Sequence, residues 1–279
     1  MTKTTYDEFQ QSILSTGGYD TAPDHRAAKT RRPSGWVTFI FTFLAMRVFP
    51  MCAIWDFFRK LTTRAWGKMC FSTVTTPEKF GMNIHVEGFQ ARNACKGPVV
   101  YLCNHMSTFE TVALPPILLC WDDFSYVAKE SLAHLPGLEH AAYIMGMVGI
   151  GRKNPKEDLL KIYQVGGERL GGGHSFLIFP QGTRQEVFDR KHFSSIGAKL
   201  AEKAGAAIVP IVVDTRCMPT RKTGLFRKAL KDFGPIDTSK DIRFAAGPVI
   251  PPGKAREMQE AAFDWMAGKL ESWGLPVVR

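Results

Sequence analysis

Short apolar runs alternate with amphipathic stretches from about residue 80 to the end of the chain. Apolar runs bounded by Gly, Pro or Asn are typical of strands, and apolar residues at helical spacing are typical of helices. Strands are predicted near 83–87, 98–103, 124–128, 147–150, 175–179, 207–213 and 242–246, and helices near 107–118, 132–145, 156–170, 196–204 and 258–273. This order predicts an α/β fold with a mixed, largely parallel central sheet flanked by helices.

The pattern divides the chain into three segments. Residues 1–34 are polar and predict a flexible lead-in without a secretory signal. Residues 35–75 are apolar and basic and predict membrane-associating helices, and residues 76–279 hold the α/β domain.

The segment from Trp36 to Trp55 is almost wholly apolar and aromatic. About 20 such residues could cross a bilayer. However, Arg47 near the centre would cost about 2.5–3.5 kcal/mol, and Pro50 would kink a helix. We therefore expect a helix or helical hairpin that lies in the cytoplasmic leaflet; a single span and a buried soluble helix are the alternatives. A single span would concentrate basic residues on one side of the membrane. Here they flank both ends of the segment: Arg26, Lys29, Arg31 and Arg32 before it, and Arg59, Lys60, Arg64 and Lys68 after it.

Composition favours acidic partners. The 279 residues carry a formal net charge of +10, which suits an anionic membrane surface or an acidic small molecule. Nucleic acid is not expected, because the sequence contains none of the usual nucleic-acid-binding patterns. The six cysteines lack metal-ligand spacing, so reduced thiols and no metal site are expected.

The first candidate site follows the predicted strand at 98–103. His105 stands just after this strand, and Glu110 falls in the first turn of the helix predicted to begin at or beside Ser107. A carboxylate that accepts the Nδ1 proton would fix the imidazole tautomer and leave Nε2 to act as a base. Alternatively, Ser107 and Glu110 form an ordinary capping box and His105 is a loop histidine.

The second candidate site follows the predicted strand at 175–179. Pro180-Gln181-Gly182 predicts a turn whose backbone amides could face an anion. Arg184 adds a permanently charged fork that matches phosphate oxygens. The alternative is a simple Pro-Gly turn followed by a solvated arginine.

Together, the two motifs resemble the HxxxxD and FPEGTR signatures of the lysophospholipid (1-acyl-glycerol-3-phosphate) acyltransferase family. The resemblance covers roughly residues 80 to 252. Further similar segments occur in the family's order: Val127-Ala128-Lys129, Gly149-Ile150-Gly151-Arg152, the apolar run 208–212 and the late strand 243–249.

The resemblance implies acyl transfer from acyl-CoA or acyl carrier protein to the free hydroxyl of a lysophospholipid, most simply 1-acyl-glycerol-3-phosphate. It implies no cofactor or metal, and a location on the cytoplasmic face of a membrane (the inner or cell membrane if bacterial). His105 would be the general base and Glu110 its orienting carboxylate. The residues implied in substrate binding are Arg184, Gly182, Thr183, Gln181, Lys129 and Arg152.

Three departures from the family pattern stand out. Glu110 replaces the usual Asp, and Gln181 replaces the usual Glu, so the second motif loses a negative charge and gains amide donors. The spacing within residues 191–197 also differs from the usual Phe-Lys-x-Gly. These changes keep alternatives open: another acceptor (glycerol-3-phosphate, a different lysophospholipid or a lyso-aminolipid), or a membrane-binding scaffold with impaired turnover.

Overall fold

The structure of the chain, a computed structural model, describes residues 4–25, 35–58, 60–134, 139–219 and 235–279. Within these ranges the strands are β1 Tyr19–Asp20, β2 Ile84–Glu87, β3 Val99–Cys103, β4 Phe124–Lys129, β5 Val148–Ile150, β6 Ser175–Ile178, β7 Phe188–Asp189, β8 Ala207–Asp214, β9 Ile242–Ala246 and β10 Val277–Val278. The helices are α1 Tyr6–Thr16, α2 Gly35–Met46, α3 Val48–Phe57, α4 Thr63–Glu78, α5 Phe109–Ala113, α6 Pro115–Leu118, α7 Glu139–Ile144, α8 Pro155–Gly171, α9 Ile196–Ala204 and α10 Ala255–Ser272.

The central sheet has the strand order β1-β2-β9-β8-β3-β6-β4-β5. Strands β8, β3, β6, β4 and β5 run parallel to one another, while β9 is antiparallel to β8 and β1 is antiparallel to β2. Every residue of β3, β6 and β8 is buried, as expected for inner strands covered on both faces. The predicted α/β class and the largely parallel sheet are confirmed.

The predicted elements match the observed ones closely between β2 and α10. The helix expected at 107–118 is divided into α5 and α6, because Pro115 and Pro116 start a new helical turn. The helix expected at 132–145 is shorter: a 3₁₀ turn covers Glu130–His134 and α7 begins at Glu139. Residues 135–138, with the Pro136-Gly137 turn, lie outside the described residues.

The flexible lead-in predicted for residues 1–34 is wrong for residues 4–25. Thr5 and Glu8 form a capping box at the start of α1, and this helix buries Tyr6, Phe9 and Ile13. Strand β1 then pairs with β2 at the edge of the sheet. Apolar residues on one face of α1 thus fix this segment to the domain.

The aromatic segment forms two helices that separate at Arg47 rather than kinking at Pro50. Pro50 lies in the first turn of α3, where its lack of an N–H removes no helical hydrogen bond. Phe41 of α2 and Cys52 of α3 are buried. In the part of the chain that the structure describes, none of the helices combines the length and the apolar character that crossing a membrane requires.

The parallel strands bring the candidate residues to one edge of the sheet. Carboxyl ends of parallel strands meet at the same edge, where open α/β sheets form their sites. His105 follows β3, Lys129 ends β4, Arg152 follows β5, and the Gln181–Arg184 turn follows β6. The residue after β8, Thr215, reaches the same edge.

Candidate active site

The backbone before His105 is fixed to the neighbouring strand β8. The buried side chain of Asn104 donates to the carbonyl oxygen of Val213 (3.0 Å) and accepts from the Val213 N–H (2.7 Å). An amide that pairs with both backbone groups of one residue continues the sheet hydrogen bonding beyond the end of β3. His105 is therefore held at a defined height above the sheet edge.

The imidazole of His105 pairs with Glu110 as the sequence predicts. Nδ1 lies 2.9 Å from Oε1 of the carboxylate, and the ring stacks on Phe179 with centroids 4.3 Å apart. The His105 side chain is 17% exposed, and that of Glu110 is fully buried. Because Nδ1 is engaged, Nε2 is the ring nitrogen that can exchange a proton with a bound molecule.

Glu110 accepts several hydrogen bonds besides that of His105. Oε1 accepts from the backbone N–H groups of Met106 (2.6 Å) and Ser107 (2.7 Å). Oε2 accepts from the hydroxyls of Ser107 (2.5 Å) and Thr215 (3.1 Å). Burial works against the charged form, but the hydrogen bonds and charge of His105, followed by the Ser107 donors, outweigh it and lower the pKa of Glu110.

The structure contains the contacts that each interpretation of the first motif requires. Glu110 bonds backbone amides ahead of α5, as a capping carboxylate does, and the Ser107 hydroxyl accepts from the Phe109 N–H at 3.1 Å. The same carboxylate reaches the imidazole. A junction that turns back over the helix start allows one side chain to serve both purposes.

The second motif lies against the first. Gly182 has φ of +67°, a conformation that glycine adopts without strain, and this turn directs Arg184 toward α5. Nη1 of Arg184 donates to the Thr108 hydroxyl at 2.6 Å. The N–H of Gln185 donates to the His105 carbonyl oxygen at 2.8 Å. The structure therefore brings the predicted base and the predicted anion-binding arginine to one place.

Arg152 joins this group, whereas Lys129 stands at its margin. Nη2 of Arg152 donates to the Gly182 carbonyl oxygen at 3.2 Å. Arg152 has φ of +59°, a strained backbone, which Asp158 stabilises by accepting from the N–H groups of Gly151 and Arg152. Lys129 is exposed at the end of β4, opposite Ile150 in the ladder.

An open groove continues from Arg184 along the following loop. Thr183 and Gly182 are exposed at the turn. The groove is lined by Met106, Arg184, Gln185, Val187, Asp189 and His192, with Glu186 beside them. The polar lining combines the Arg184 guanidinium with the carboxylates of Glu186 and Asp189, so the groove is of mixed charge.

Sequence reasoning missed three contributors: Asn104's bond to β8, Thr108 beside Arg184, and Thr215 beside Glu110. Thr215 lies 105 positions from Glu110 along the chain, and no local pattern links them. The one feature that could have identified Thr215 from the sequence is its position directly after the apolar strand β8, since His105 likewise follows β3. Among the described residues, no group of three or more His, Cys, Asp or Glu side chains is arranged to hold a metal ion.

Comparison with known proteins shows what the segment around this site is similar to. Residues 83–214 match the family model described as Acyltransferase. A 1-acyl-sn-glycerol-3-phosphate acyltransferase of Pseudomonas aeruginosa is 34% identical over 131 residues, which are 47% of this chain and 49% of that protein. A chloroplastic enzyme of the same name from Arabidopsis thaliana is 30% identical over 146 residues, 51% of this chain and 39% of that protein. The chain thus spans about half the length, or less, of these curated relatives.

A solved structure has the same fold. The crystal structure of the 1-acyl-sn-glycerophosphate (LPA) acyltransferase PlsC from Thermotoga maritima aligns with a TM-score of 0.65. The alignment covers 86% of this chain and 95% of that one, at 18% sequence identity. At this identity the similarity establishes the architecture alone.

Proposed function

Because residues 83–214 match the acyltransferase family model, we propose that this protein transfers a fatty acyl group from an acyl thioester to the hydroxyl of a lysophospholipid. The acceptor that the relatives' names favour is 1-acyl-glycerol-3-phosphate, and the product would be phosphatidate. The observation that carries this proposal is the pairing of His105 with Glu110 beside Arg184. The donor is acyl-CoA or acyl carrier protein.

In the proposed reaction, Nε2 of His105 removes the proton from the acceptor hydroxyl. The resulting alkoxide oxygen attacks the thioester carbonyl carbon, a new ester C–O bond forms, and the C–S bond breaks. The departing thiolate takes the proton back from the imidazolium. Glu110 holds Nδ1 and stabilises the imidazolium, so that proton transfer and attack occur in one pocket.

Charge next to the base supports a phosphorylated acceptor. Arg184 is the first candidate for the phosphate, because a guanidinium matches phosphate oxygens in two directions. Arg152, which bonds the Gly182 carbonyl, and the exposed Lys129 extend the positive charge along the sheet edge. Backbone amides of the Gly182–Thr183 turn would hold either the phosphate or the developing oxyanion, and Gln181 lies directly before this turn.

The site would work at the cytoplasmic face of a membrane, with α2 and α3 in one leaflet. Large apolar side chains on these helices and directly after α3 are exposed instead of packed: Trp36, Phe39, Phe43, Ile54, Phe57 and Phe58 are between 57% and 82% exposed. Aromatic residues with neighbouring basic residues such as Lys60 and Arg64 suit a helix in the headgroup region. An anionic lipid surface would also hold the acceptor.

The test is turnover by purified protein with a labelled acyl thioester and a panel of lysolipids. Wild-type protein should acylate 1-acyl-glycerol-3-phosphate. His105→Ala should reduce turnover by about 10²- to 10⁴-fold, the usual contribution of a general base, without loss of folding. The matched control is His174→Ala. This histidine directly precedes β6 and so lies at the amino-terminal end of the parallel strands, opposite the candidate site.

Each contrary result has a defined meaning. Activity of His105→Ala above a few per cent of wild type would remove the proposed base. Product with a different lysolipid would keep the enzyme class and change the acceptor. Lysolipid binding without product from either thioester would instead favour a membrane-binding scaffold.

A further inference from the structure

We propose that Gln181 is a positioning residue that locks the second motif onto the backbone of His105, rather than a substrate contact. The inference rests on the proposed function only for its kinetic part. Gln181 is 7% exposed. Its Oε1 accepts from the His105 N–H at 2.9 Å, and its Nε2 donates to the Val187 carbonyl oxygen and to Gln185 Oε1, both at 3.3 Å.

Two backbone partners fix the orientation of this amide. The N–H of His105 can only donate, and the carbonyl oxygen of Val187 can only accept. The position therefore requires one acceptor and one donor on the same planar group. Glutamine supplies both, whereas an ionised glutamate supplies acceptors alone and would direct an oxygen at the Val187 carbonyl.

The amide completes a two-sided connection to residue 105. The N–H of His105 is bonded to the Gln181 side chain, and its carbonyl oxygen accepts from the Gln185 N–H at 2.8 Å. Arg184 lies between Gln181 and Gln185 in the sequence. The two hydrogen bonds to residue 105 therefore set the distance between the base His105 and Arg184. Both N–H donors of Gln181 are used within the protein, so they would have to be released before they could bond a substrate.

This role gives the Gln-for-Glu departure a physical reason. In this chain the carbonyl oxygen of Val187 faces residue 181 and needs a donor there, whereas the Gln185 amide can offer either a donor or an acceptor. The glutamate common in the resembling family would meet that need only when protonated. Gln181→Glu is therefore expected to damage this protein although it restores the family motif.

The kinetic test compares Gln181→Glu and Gln181→Met with wild type, using the acceptor that wild-type protein turns over. Gln181→Met keeps the length of the side chain and removes both hydrogen-bonding functions. Both variants should lower kcat by about tenfold or more at neutral pH, the scale expected when one buried hydrogen-bonding group loses its partner. The acceptor KM should change less than about threefold, because Arg184 can still bind the phosphate while the altered distance to the base lowers kcat.

A second measurement does not depend on turnover. The new carboxyl in Gln181→Glu faces a carbonyl oxygen in a buried place, so it should be protonated more readily in the folded than in the unfolded protein. The stability of Gln181→Glu relative to wild type should therefore be highest below the pKa that the carboxyl has in the unfolded chain. It should decline as pH rises from that value through the higher pKa of the folded protein. Thermal unfolding at a series of pH values measures this difference. The difference in Tm between Gln181→Met and wild type should not vary with pH in this way.

The control is Gln11→Glu, which adds the same charge at an exposed position of α1. It should show neither the kinetic loss nor the pH-dependent deficit. A raised acceptor KM with unchanged kcat in Gln181→Met would overturn the proposal and make Gln181 a substrate contact. A pH-independent Tm difference between Gln181→Glu and wild type would overturn it as well. If wild type and Gln11→Glu turn over no acceptor, the proposed function fails, while the unfolding data still decide the role of Gln181.

Discussion

Glu110 has one methylene more than the aspartate of the resembling family, and the surrounding donors fit the longer side chain. The hydroxyls of Ser107 and Thr215 bond Oε2, while the His105 imidazole and the backbone N–H groups of Met106 and Ser107 bond Oε1. All five contacts are between 2.5 and 3.1 Å. The carboxylate is thus placed by its partners rather than by the helix alone.

Glu110→Asp should therefore reduce activity although it recreates the family motif. The shorter side chain withdraws the carboxylate by about 1.5 Å, which breaks the contact with either Thr215 or the imidazole. We expect kcat to fall by about tenfold to a hundredfold, a part of the contribution of an oriented base. Steady-state kinetics on the folded variant tests this, and activity equal to wild type would contradict it.

The lowered pKa of Glu110 also predicts how stability varies with pH. A carboxylate whose pKa is lower in the folded than in the unfolded state stabilises the protein above its unfolded value, and this contribution is lost as pH falls through the folded value. Glu110→Gln should be less stable than wild type at neutral pH by about 1–3 kcal/mol. This difference in the free energy of unfolding should narrow as pH falls below 4.5, the ordinary pKa of a glutamate side chain. Denaturant unfolding at several pH values measures it; a constant gap would exclude this linkage.

The sequence predicted which polar residues lie together at the candidate site but not all of their partners. His105, Glu110 and Arg184 stand out because polar residues follow apolar strands. Thr108 and Thr215 do not, because a threonine hydroxyl has no sequence signature of its own, and its role depends on which distant side chain lies opposite. The long-range contact has to be known before the hydroxyl has a meaning.

Among the elements, β8 contributes more to the site than its apolar sequence indicates. Its backbone at Val213 anchors Asn104, and the residue after it bonds Glu110. Thr215→Val keeps the shape of the side chain but removes the donor. We expect kcat to fall several-fold with little change in the acceptor KM, and Thr215→Ser, which retains the hydroxyl, to recover most of the loss. Equal kcat values for the valine and serine variants would show that the hydroxyl is not needed.

The exposed aromatic side chains of α2 can be tested for a role in membrane binding. Replacing Trp36, Phe39 and Phe43 together with serine removes exposed aromatic area from α2. Vesicle binding should fall by at least about tenfold, because each side chain contributes on the order of 1 kcal/mol or more when it leaves water. Co-sedimentation with anionic vesicles measures this. The control Leu160→Ser, at an exposed position of α8, should bind as wild type does; binding unaffected by the triple substitution would exclude α2 as the contact.

The helix α1 was predictable in principle. Thr5 and Glu8 have capping-box spacing, and Tyr6, Phe9 and Ile13 fall on one helical face. The glycines and proline that follow suggested flexibility instead. Composition averaged over 34 residues concealed a short periodic stretch, which shows why periodicity is the stronger criterion.

For the whole molecule, a net charge of +10 would add an electrostatic attraction to an anionic membrane if the protein binds one as proposed. Binding to anionic vesicles should weaken as salt is raised, because screening shortens the range of the attraction to about 10 Å at 0.1 M. Binding to neutral vesicles should be weaker and nearly insensitive to salt. Equal salt dependence on both lipid types would exclude a charge contribution.

The sheet topology was predictable only as a class. Alternating elements indicated a parallel sheet, and the order β8-β3-β6-β4-β5 then follows from pairing that no single segment encodes. Register depends on which buried faces fit together, for example Tyr101 opposite Leu177 and Val209. Such complementarity depends on the whole core.

The central position of β3 has a consequence for how the protein acquires its shape. This strand pairs with β6 and β8, which are synthesised well after it, so the chain must close long loops before His105 meets Phe179 and Gln181. During refolding from denaturant, secondary structure should recover early and catalytic competence late. A kinetic intermediate that holds its helices yet turns over nothing is the expected signature of this architecture.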